Sequence, residues 1–182
     1  MGKVIFHIIY VQPLYRIVEL MFFAILIWIQ LEFMLAKKSK NNALWKVLNV
    51  VLAIVSVFVI VKATISAERQ WTSEVIMIPF YSFVEARIQP EMYRSMLMNV
   101  FLFFPFGLSL PYVFPRKWKH QAVWAVFVAM LVSACIEYIQ YRYHLGRTEI
   151  DDVICNTLGC AIGCISYMLT QKKHLKESEM NS

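Results

Sequence analysis

Long apolar stretches separated by short polar segments dominate this sequence. A helix that crosses a bilayer needs about 17 to 25 mostly apolar residues, because each residue adds about 1.5 Å against a hydrocarbon core about 30 Å thick. Five stretches meet this requirement, at residues 17–35, 44–61, 96–113, 122–139 and 153–169. The first is the least apolar, since Glu19, Gln30 and Glu32 fall inside it. The pattern predicts an all-α, polytopic membrane protein with about five transmembrane helices.

The composition narrows the class of protein further. Of the 182 residues, 59% are hydrophobic and only 16% are charged, whereas a soluble domain averages about 25% charged residues. The net charge of +6 would suit nucleic acid in a soluble protein, but here the basic residues lie between apolar stretches, where they face the membrane surface. We therefore expect a multi-pass protein of the cell membrane whose partners include membrane lipids and exclude nucleic acid.

The distribution of Lys and Arg predicts the orientation of the chain. Segments 36–43, 114–121 and 170–182 hold nine Lys or Arg in 29 residues, while segments 1–16, 62–95 and 140–152 hold eight in 63. Because basic loops stay in the cytoplasm, the N-terminus is expected outside and the C-terminus inside. The chain then divides into an N-terminal arm, extra helix and basic cytoplasmic loop (1–43), a membrane domain (44–170) and a basic cytoplasmic tail (171–182).

Polar side chains inside the predicted spans gather at one level. An ionisable group at mid-bilayer costs about 2.5 to 3.5 kcal/mol, so such groups indicate function or close pairing. Asn99 lies three residues into the third span, and Asp151, Asp152 and Asn156 lie at the start of the fifth. Glu137 lies two residues from the end of the fourth, with Gln140 on the same helical face. In the expected orientation these groups lie within about 10 Å of the outer surface. The spacing predicts a polar, acidic pocket that opens to the outer leaflet.

On the fifth helix, the polar residues share one face with two glycines. Asp152 and Asn156 are followed at helical spacing by Gly159 and Gly163. These glycines form a GxxxG pair, a spacing that lets two helix backbones approach closely in lipid. The sequence leaves open whether that approach joins two helices of one chain or two copies in a homodimer.

Two further features border the predicted pocket. Arg147 and Arg142 lie in the same outer segment and could pair with the carboxylates or bind a phosphate group bidentately. The third span contains Pro105 and Pro111 with Gly107 between them, and each proline removes an intrahelical hydrogen bond. We expect a kink or a break there, which either lines a cavity or is an ordinary proline kink.

Little in the sequence indicates an enzyme. It contains no serine elbow, HExxH motif or Gly-rich phosphate loop, its four histidines are scattered, and its cysteines show no zinc pattern and are interpreted as packing residues. Glu137 and Asp152 could still act as general acid and base, or hold a divalent cation together with Asp151. A structural network is the favoured interpretation, with no catalytic residue, metal or cofactor expected.

Four motifs follow one another along the chain: IMIPFYSF (76–83), NVFLFFPFGLSL (99–110), EYIQ (137–140) and GRTEIDDVICNTLGCAIG (146–163). Together they resemble the VanZ-like family of small bacterial membrane proteins, over roughly residues 44–169. The positions that match the family pattern are Pro79, Phe80, Asn99, Pro105, Gly107, Glu137, Gln140, Asp152, Asn156 and Gly159. Glu19, in the first span, lies outside the resemblance and inherits no role from it.

The resemblance implies a function in the cell envelope. The family's namesake confers low-level resistance to the glycopeptide teicoplanin, and a similar role is implied for this chain. In this interpretation the protein is not an enzyme, and its outer pocket binds a lipid headgroup, a lipid-linked wall precursor or the acyl-bearing antibiotic. The alternative is a membrane enzyme or lipid translocator for an anionic lipid or polyprenyl-linked substrate, with Glu137 and Asp152 as acid and base or proton relay.

Overall fold

The computed structural model describes residues 24, 26, 27, 30, 42–65, 74–89, 91–115 and 120–180, which are mostly helical. The elements in chain order are α1 (Asn42–Ile65), β1 (Val75–Ile76), the short helix α2 (Tyr81–Glu85), α3 (Glu91–Ser109), a 3-10 turn (Leu110–Tyr112), α4 (Gln121–Tyr143), β2 (Thr148–Glu149) and α5 (Ile150–Met180). The predicted helical class is confirmed.

Four helices coincide with predicted spans. The segments Lys46–Thr64, Met92–Tyr112, Gln121–Tyr143 and Ile150–Leu169 are long and apolar enough to cross a membrane, which confirms the second to the fifth predicted spans. The first predicted span, residues 17–35, lies outside the described residues except for four isolated positions. Glu19 and the N-terminal arm lie outside them as well. The orientation of the termini stays a prediction.

Helix α3 is the central helix of the bundle. About 61% of its span is buried, against 28% for α1 and for α4 and 33% for α5. Phe103 and Phe106 of α3 form the core together with Ile60 of α1 and Ala129 of α4. The other three spans therefore leave most of their apolar surface on the outside of the bundle, as expected for helices whose surroundings are lipid.

Pro105 lies inside α3 without ending the helix. The Ser109 hydroxyl donates to the Pro105 carbonyl oxygen (2.9 Å), and α3 ends at Ser109. The chain then changes to 3-10 geometry, with Pro111 at the beginning of that turn. The interruption expected in this span is therefore a change of helix type near Pro111, because a proline fits the first turn of a new helix better than a helix interior.

Helices α3 and α5 meet through their backbones at Gly107, Gly159 and Gly163, a contact we call the glycine seam. A Cβ atom at each glycine would overlap backbone of the opposite helix, namely the carbonyl oxygens of Cys160, Val100 and Phe104 respectively. The Cys164 thiol donates to the Gly107 carbonyl oxygen (3.3 Å), which supports its interpretation as a packing residue. The GxxxG pair thus packs within one chain, and a homodimer, which stays a prediction, would need another face.

A pair of two-residue strands closes one end of the bundle. Strands β1 and β2 are parallel, with Ile76 opposite Glu149. Helix α4 stops before His144, whose φ of 54° is left-handed, and the N–H of Leu145 donates back to the Gln140 carbonyl oxygen (3.0 Å). This turn directs the chain into β2. The sequence did not predict the strands, because two residues are too few to show an alternating pattern.

Candidate functional site

Polar side chains of four helices meet where α1 and α4 end and where α3 and α5 begin, a region we call the polar end. The Gln140 side-chain amide of α4 donates to the Thr64 carbonyl oxygen of α1 (3.0 Å). The Asn99 amide of α3 donates to Asp152 Oδ1 of α5 (2.6 Å). These hydrogen bonds link helices that are distant in sequence, at the level where the polar residues of each span were expected.

Glu137 lies on the buried face of α4 at the polar end. Ser133 precedes it by one turn and Gln140 follows it by one turn on that face. The Ser133 hydroxyl oxygen accepts a hydrogen bond from Asn156 Nδ2 of α5 (2.8 Å). Glu137 Oε2 accepts one from the backbone N–H of Glu149 (3.0 Å). The buried carboxyl group is thus held against β2, and hydrogen bonding of this kind is what burial of a polar group requires.

Asp151 ties the segment before α3 to the beginning of α5. Its Oδ1 accepts the backbone N–H of Phe80 (2.6 Å) and its Oδ2 that of Ser82 (2.8 Å). The Ser82 hydroxyl donates to Glu149 Oε2 (2.6 Å). Phe80, which follows Pro79, has a left-handed φ of 65°, a conformation that a phenylalanine keeps only where its surroundings hold it. In the Pro-Phe motif it is therefore the backbone N–H of Phe80 that contacts α5, at Asp151, while the Phe80 ring is exposed.

Arg147 forms an ion-pair network with three glutamates, which we call the Arg147 network. Its two terminal nitrogens donate bidentately to Glu85 (3.2 and 2.6 Å). Its Nε lies 2.9 Å from Glu149 Oε1 and 3.6 Å from Glu74 Oε2. Of the two roles open for Arg147, carboxylate pairing is the one found, and the planar fork needed for a phosphate is already occupied. Arg142 is exposed on α4.

The Arg147 network lies outside the spans, and within it the pKa values of Glu85 and Arg147 are shifted. Hydrogen bonds from Arg147 lower the pKa of Glu85 below its ordinary value, although desolvation acts in the opposite direction. The same hydrogen bonds raise the pKa of Arg147. Both groups are therefore charged at neutral pH. One guanidinium thus faces the carboxyl groups of three glutamates.

Three buried oxygens at the polar end have no hydrogen-bond partner within the described part of the chain: Gln140 Oε1, Asn156 Oδ1 and Thr148 Oγ1. Buried polar atoms are nearly always satisfied by protein or water, so each such atom requires an explanation. Their residues are neighbours of Glu137 in the fold. Gln140 lies one turn after Glu137 on α4, Asn156 donates to Ser133 one turn before it, and Thr148 precedes Glu149, whose N–H donates to Glu137. Within the described chain, the polar end therefore contains buried oxygens without a partner near a buried carboxyl group.

Five of the six residues predicted for a pocket lie in this arrangement: Asn99, Glu137, Gln140, Asp152 and Asn156. The sixth, Arg147, belongs to its own network nearer the strands. The sequence did not identify Ser82, Glu85, Thr148 or Glu149 as members of the site. Their contacts join positions up to 69 residues apart, and the one available signal was the polar run TEIDD (148–152) directly before a span.

The acidic residues have different hydrogen-bond partners. Asp151 binds backbone N–H groups of the segment before α3, Asp152 binds Asn99, and Glu137 binds the backbone of β2. Among the described residues, no group of three or more His, Cys, Asp or Glu side chains is arranged to hold a metal ion. These contacts therefore give no support to the divalent-cation alternative or to paired acid–base chemistry.

The apolar bundle and its polar end define a helical membrane protein, and comparison with known proteins identifies its family. The family model VanZ/LLP1 matches residues 20–171, so the chain belongs to the VanZ/LLP1 family. Protein VanZ of Enterococcus faecium is 37% identical over 90 residues, which are 49% of this chain and 53% of that protein. The match thus spans about half the length of this curated relative. No solved structure matches the chain.

The family match confirms the resemblance based on the four motifs. It is longer than the stretch 44–169 covered by those motifs, because it begins at residue 20 and so includes most of the first predicted span. Glu19 lies just before it.

Proposed function

We propose that the polar end binds the polar part of a membrane-borne ligand. Through this binding the chain would contribute to resistance to teicoplanin, or to the handling of lipids and wall precursors in the cell envelope. The observation that carries the proposal is the set of open oxygens, Gln140 Oε1, Asn156 Oδ1 and Thr148 Oγ1, near the buried Glu137. The similarity to Protein VanZ over half its length supports the resistance role in this proposal.

The chemistry of the polar end favours ligands that donate hydrogen bonds. Among the described atoms without a hydrogen-bond partner, Gln140 Oε1 and Asn156 Oδ1 are acceptors and Thr148 Oγ1 can accept or donate. The donor Arg147 Nε is also without a hydrogen bond in the described chain, but its guanidinium is already paired with Glu85 and Glu149. A hydroxyl, amide or ammonium group would satisfy the open oxygens, whereas a bare phosphate would meet like charge. Lipid headgroups, lipid-linked wall precursors and an acyl-bearing glycopeptide all carry such donors beside a lipid chain.

The proposed location is the outer leaflet, in a multi-pass protein of the cell membrane. The basic segments 36–43, 114–121 and 170–182 belong to the opposite ends of the spans, and the rule that basic loops remain in the cytoplasm supports this orientation. An antibiotic arriving from outside would then reach the polar end directly.

The test is the inhibitory concentration of teicoplanin, with vancomycin as the comparison drug, in a susceptible Gram-positive host. The host expresses the wild type, Glu137→Gln or Asp152→Asn at matched membrane levels. Both replacements keep an oxygen that can accept the hydrogen bonds from Glu149 and Asn99, so the fold should persist. We expect a teicoplanin-selective rise for the wild type and a return to the vector level for both variants.

Tyr138→Phe is the matched control, because Tyr138 is adjacent to Glu137 in sequence but exposed on the outside of α4. It should keep the full rise. Unchanged resistance in stably inserted Glu137→Gln and Asp152→Asn would refute a role for the polar end. A lipid profile altered by the wild type and restored by Glu137→Gln would instead favour the enzyme or translocator.

A further inference from the structure

The segment between α1 and α3 has its polarity inverted. Residues 75–88, which we call the β1–α2 segment, expose large apolar side chains: Val75, Met77, Ile78, Phe80, Tyr81, Phe83, Val84 and Ile88. Phe83 is 42% exposed, Val84 58% and Ile88 83%, while the hydroxyl-bearing Ser82 is only 1% exposed. A surface element in water has the opposite arrangement, with apolar groups inside and polar groups outside.

The inner face of the β1–α2 segment explains why Ser82 and Glu85 turn toward the bundle, whereas Arg87 is exposed. Ser82 and Glu85 contact Glu149 and Arg147 at the strand pair. Ala86, one turn after Ser82, is buried in a small apolar cluster that includes Met96 of α3 and Cys155 of α5. The segment is therefore fixed on the bundle by its polar side, and its apolar side has to face something other than the protein described.

We propose that the β1–α2 segment is embedded in the lipid bilayer, at the boundary between headgroups and acyl chains, as an interfacial element beside the polar end. The inverted polarity carries this inference, because apolar side chains are stable outward only where the surroundings are apolar. Phe80, Tyr81 and Phe83 are of the type that concentrates at the membrane interface.

The exposed side chains of the neighbouring helices support contact between the β1–α2 segment and lipid. Helix α3, which follows the segment in the chain, exposes apolar side chains in the same way, at Leu97 and Phe101. Helix α4 exposes Tyr138, Tyr141 and Tyr143 at its end near the strand pair, as an aromatic belt would. The proposal does not rest on the resistance function, and it holds for either leaflet.

The first test measures the environment of single spin labels in the full-length protein, in vesicles of phosphatidylethanolamine and phosphatidylglycerol. Labels are attached at Phe83→Cys and Val84→Cys in a Cys135→Ser background, because Cys135 is exposed and the other three cysteines are buried. Leu158→Cys on the outside of α5 serves as the lipid reference and Gln89→Cys as the water reference. The readout is the ratio of label collisions with oxygen to collisions with a water-soluble nickel chelate.

We expect the ratio at positions 83 and 84 to exceed that at Gln89→Cys and to approach that at Leu158→Cys. A ratio equal to the water reference would overturn the proposal. Loss of collisions with both reagents, accompanied by spin–spin broadening, would overturn it too, since it would show that a second copy of the chain covers the segment.

A second test needs no substitution. The native chain is reconstituted with a phospholipid that carries a photoactivatable carbene on its acyl chain, and the adducts are mapped by mass spectrometry. Adducts are expected on the exposed residues of 75–88 and on Leu158, and none on the buried Ser82. Adducts on Leu158 but none within 75–88 would contradict embedding in lipid.

Discussion

The glycine seam and the polar end occupy successive parts of α5, yet they stabilise the bundle in opposite ways. At Gly159 and Gly163 the helix meets α3 through backbone alone, without room for a single Cβ atom. At Asp152 and Asn156 it meets its neighbours through side-chain hydrogen bonds, and some acceptors remain open. The seam can be understood from packing alone. The polar end retains costly buried groups that packing does not require, which is the pattern expected of a binding site.

The largest effect is expected at the seam, from Gly159→Leu. Its Cβ would overlap the Val100 carbonyl oxygen, so α3 and α5 must separate along their length. We expect the free energy of unfolding to fall by at least about 3 kcal/mol, the upper end for overpacking. Thermal unfolding in detergent checks this, with Leu158→Ala as a neutral control on the exposed face. Wild-type stability in Gly159→Leu would show that the seam is not closely packed.

The Arg147 network should give the next largest effect. Arg147→Gln removes the bidentate partner of Glu85 and leaves Glu149, a buried residue, without its guanidinium. The expected loss is about 2 kcal/mol, less than for a fully buried pair because the Arg147 side chain is 22% exposed. The same unfolding measurement applies, and Arg142→Gln, at an exposed position, is the matched control. If the two substitutions lowered the free energy of unfolding equally, the Arg147 network would not be stabilising the fold.

The effect of Asp151→Asn on stability is expected to be local. Asparagine keeps one acceptor but presents an N–H group to the second donor, so one of the bonds from Phe80 and Ser82 is lost. We expect a cost of about 1.5 kcal/mol confined to the β1–α2 segment, visible as faster amide exchange at these two residues. Asp152→Asn should leave both amides protected. Uniformly faster exchange throughout the bundle would mean that Asp151 supports the whole fold.

How much of this could be read from the sequence differs between the two regions. The GxxxG spacing predicted a close backbone contact at Gly159 and Gly163, because helical periodicity fixes which residues share a face, but it did not identify α3 as the partner. Span order and spacing likewise predicted that Asn99, Glu137 and Asp152 lie at one level. The strand pair and the role of Glu85 could not be predicted, because they depend on tertiary contacts such as that between Glu85 and Arg147, 62 residues apart.

The partner of Arg147, phosphate or carboxylate, likewise could not be predicted from the sequence. A guanidinium near a membrane surface suits a phosphate and a carboxylate equally well by residue type. Only the folded chain brings Glu85 into bidentate contact and so decides between them.

The smallest expected effect is a dependence of stability on acid pH. The pKa of Glu85 is lowered by Arg147 from its ordinary value of 4.5. A carboxyl group with a lowered folded-state pKa stabilises the fold fully above that ordinary value and loses the effect as the pH falls through the lowered one. The melting temperature should therefore decline below pH 4.5 more steeply in the wild type than in Glu85→Gln. Identical acid profiles would mean that the pair does not persist in the folded protein.

We propose that the polar end is needed for the function and that the seam is needed for the fold. The most direct measurement is the teicoplanin inhibitory concentration per amount of folded protein, determined for wild type, Glu137→Gln and Gly159→Ala in one host. We expect Glu137→Gln to accumulate and melt like the wild type but to give no resistance, whereas Gly159→Ala should lose resistance only in proportion to its folded amount. Wild-type resistance per folded molecule in Glu137→Gln would show that the polar end does not carry the function.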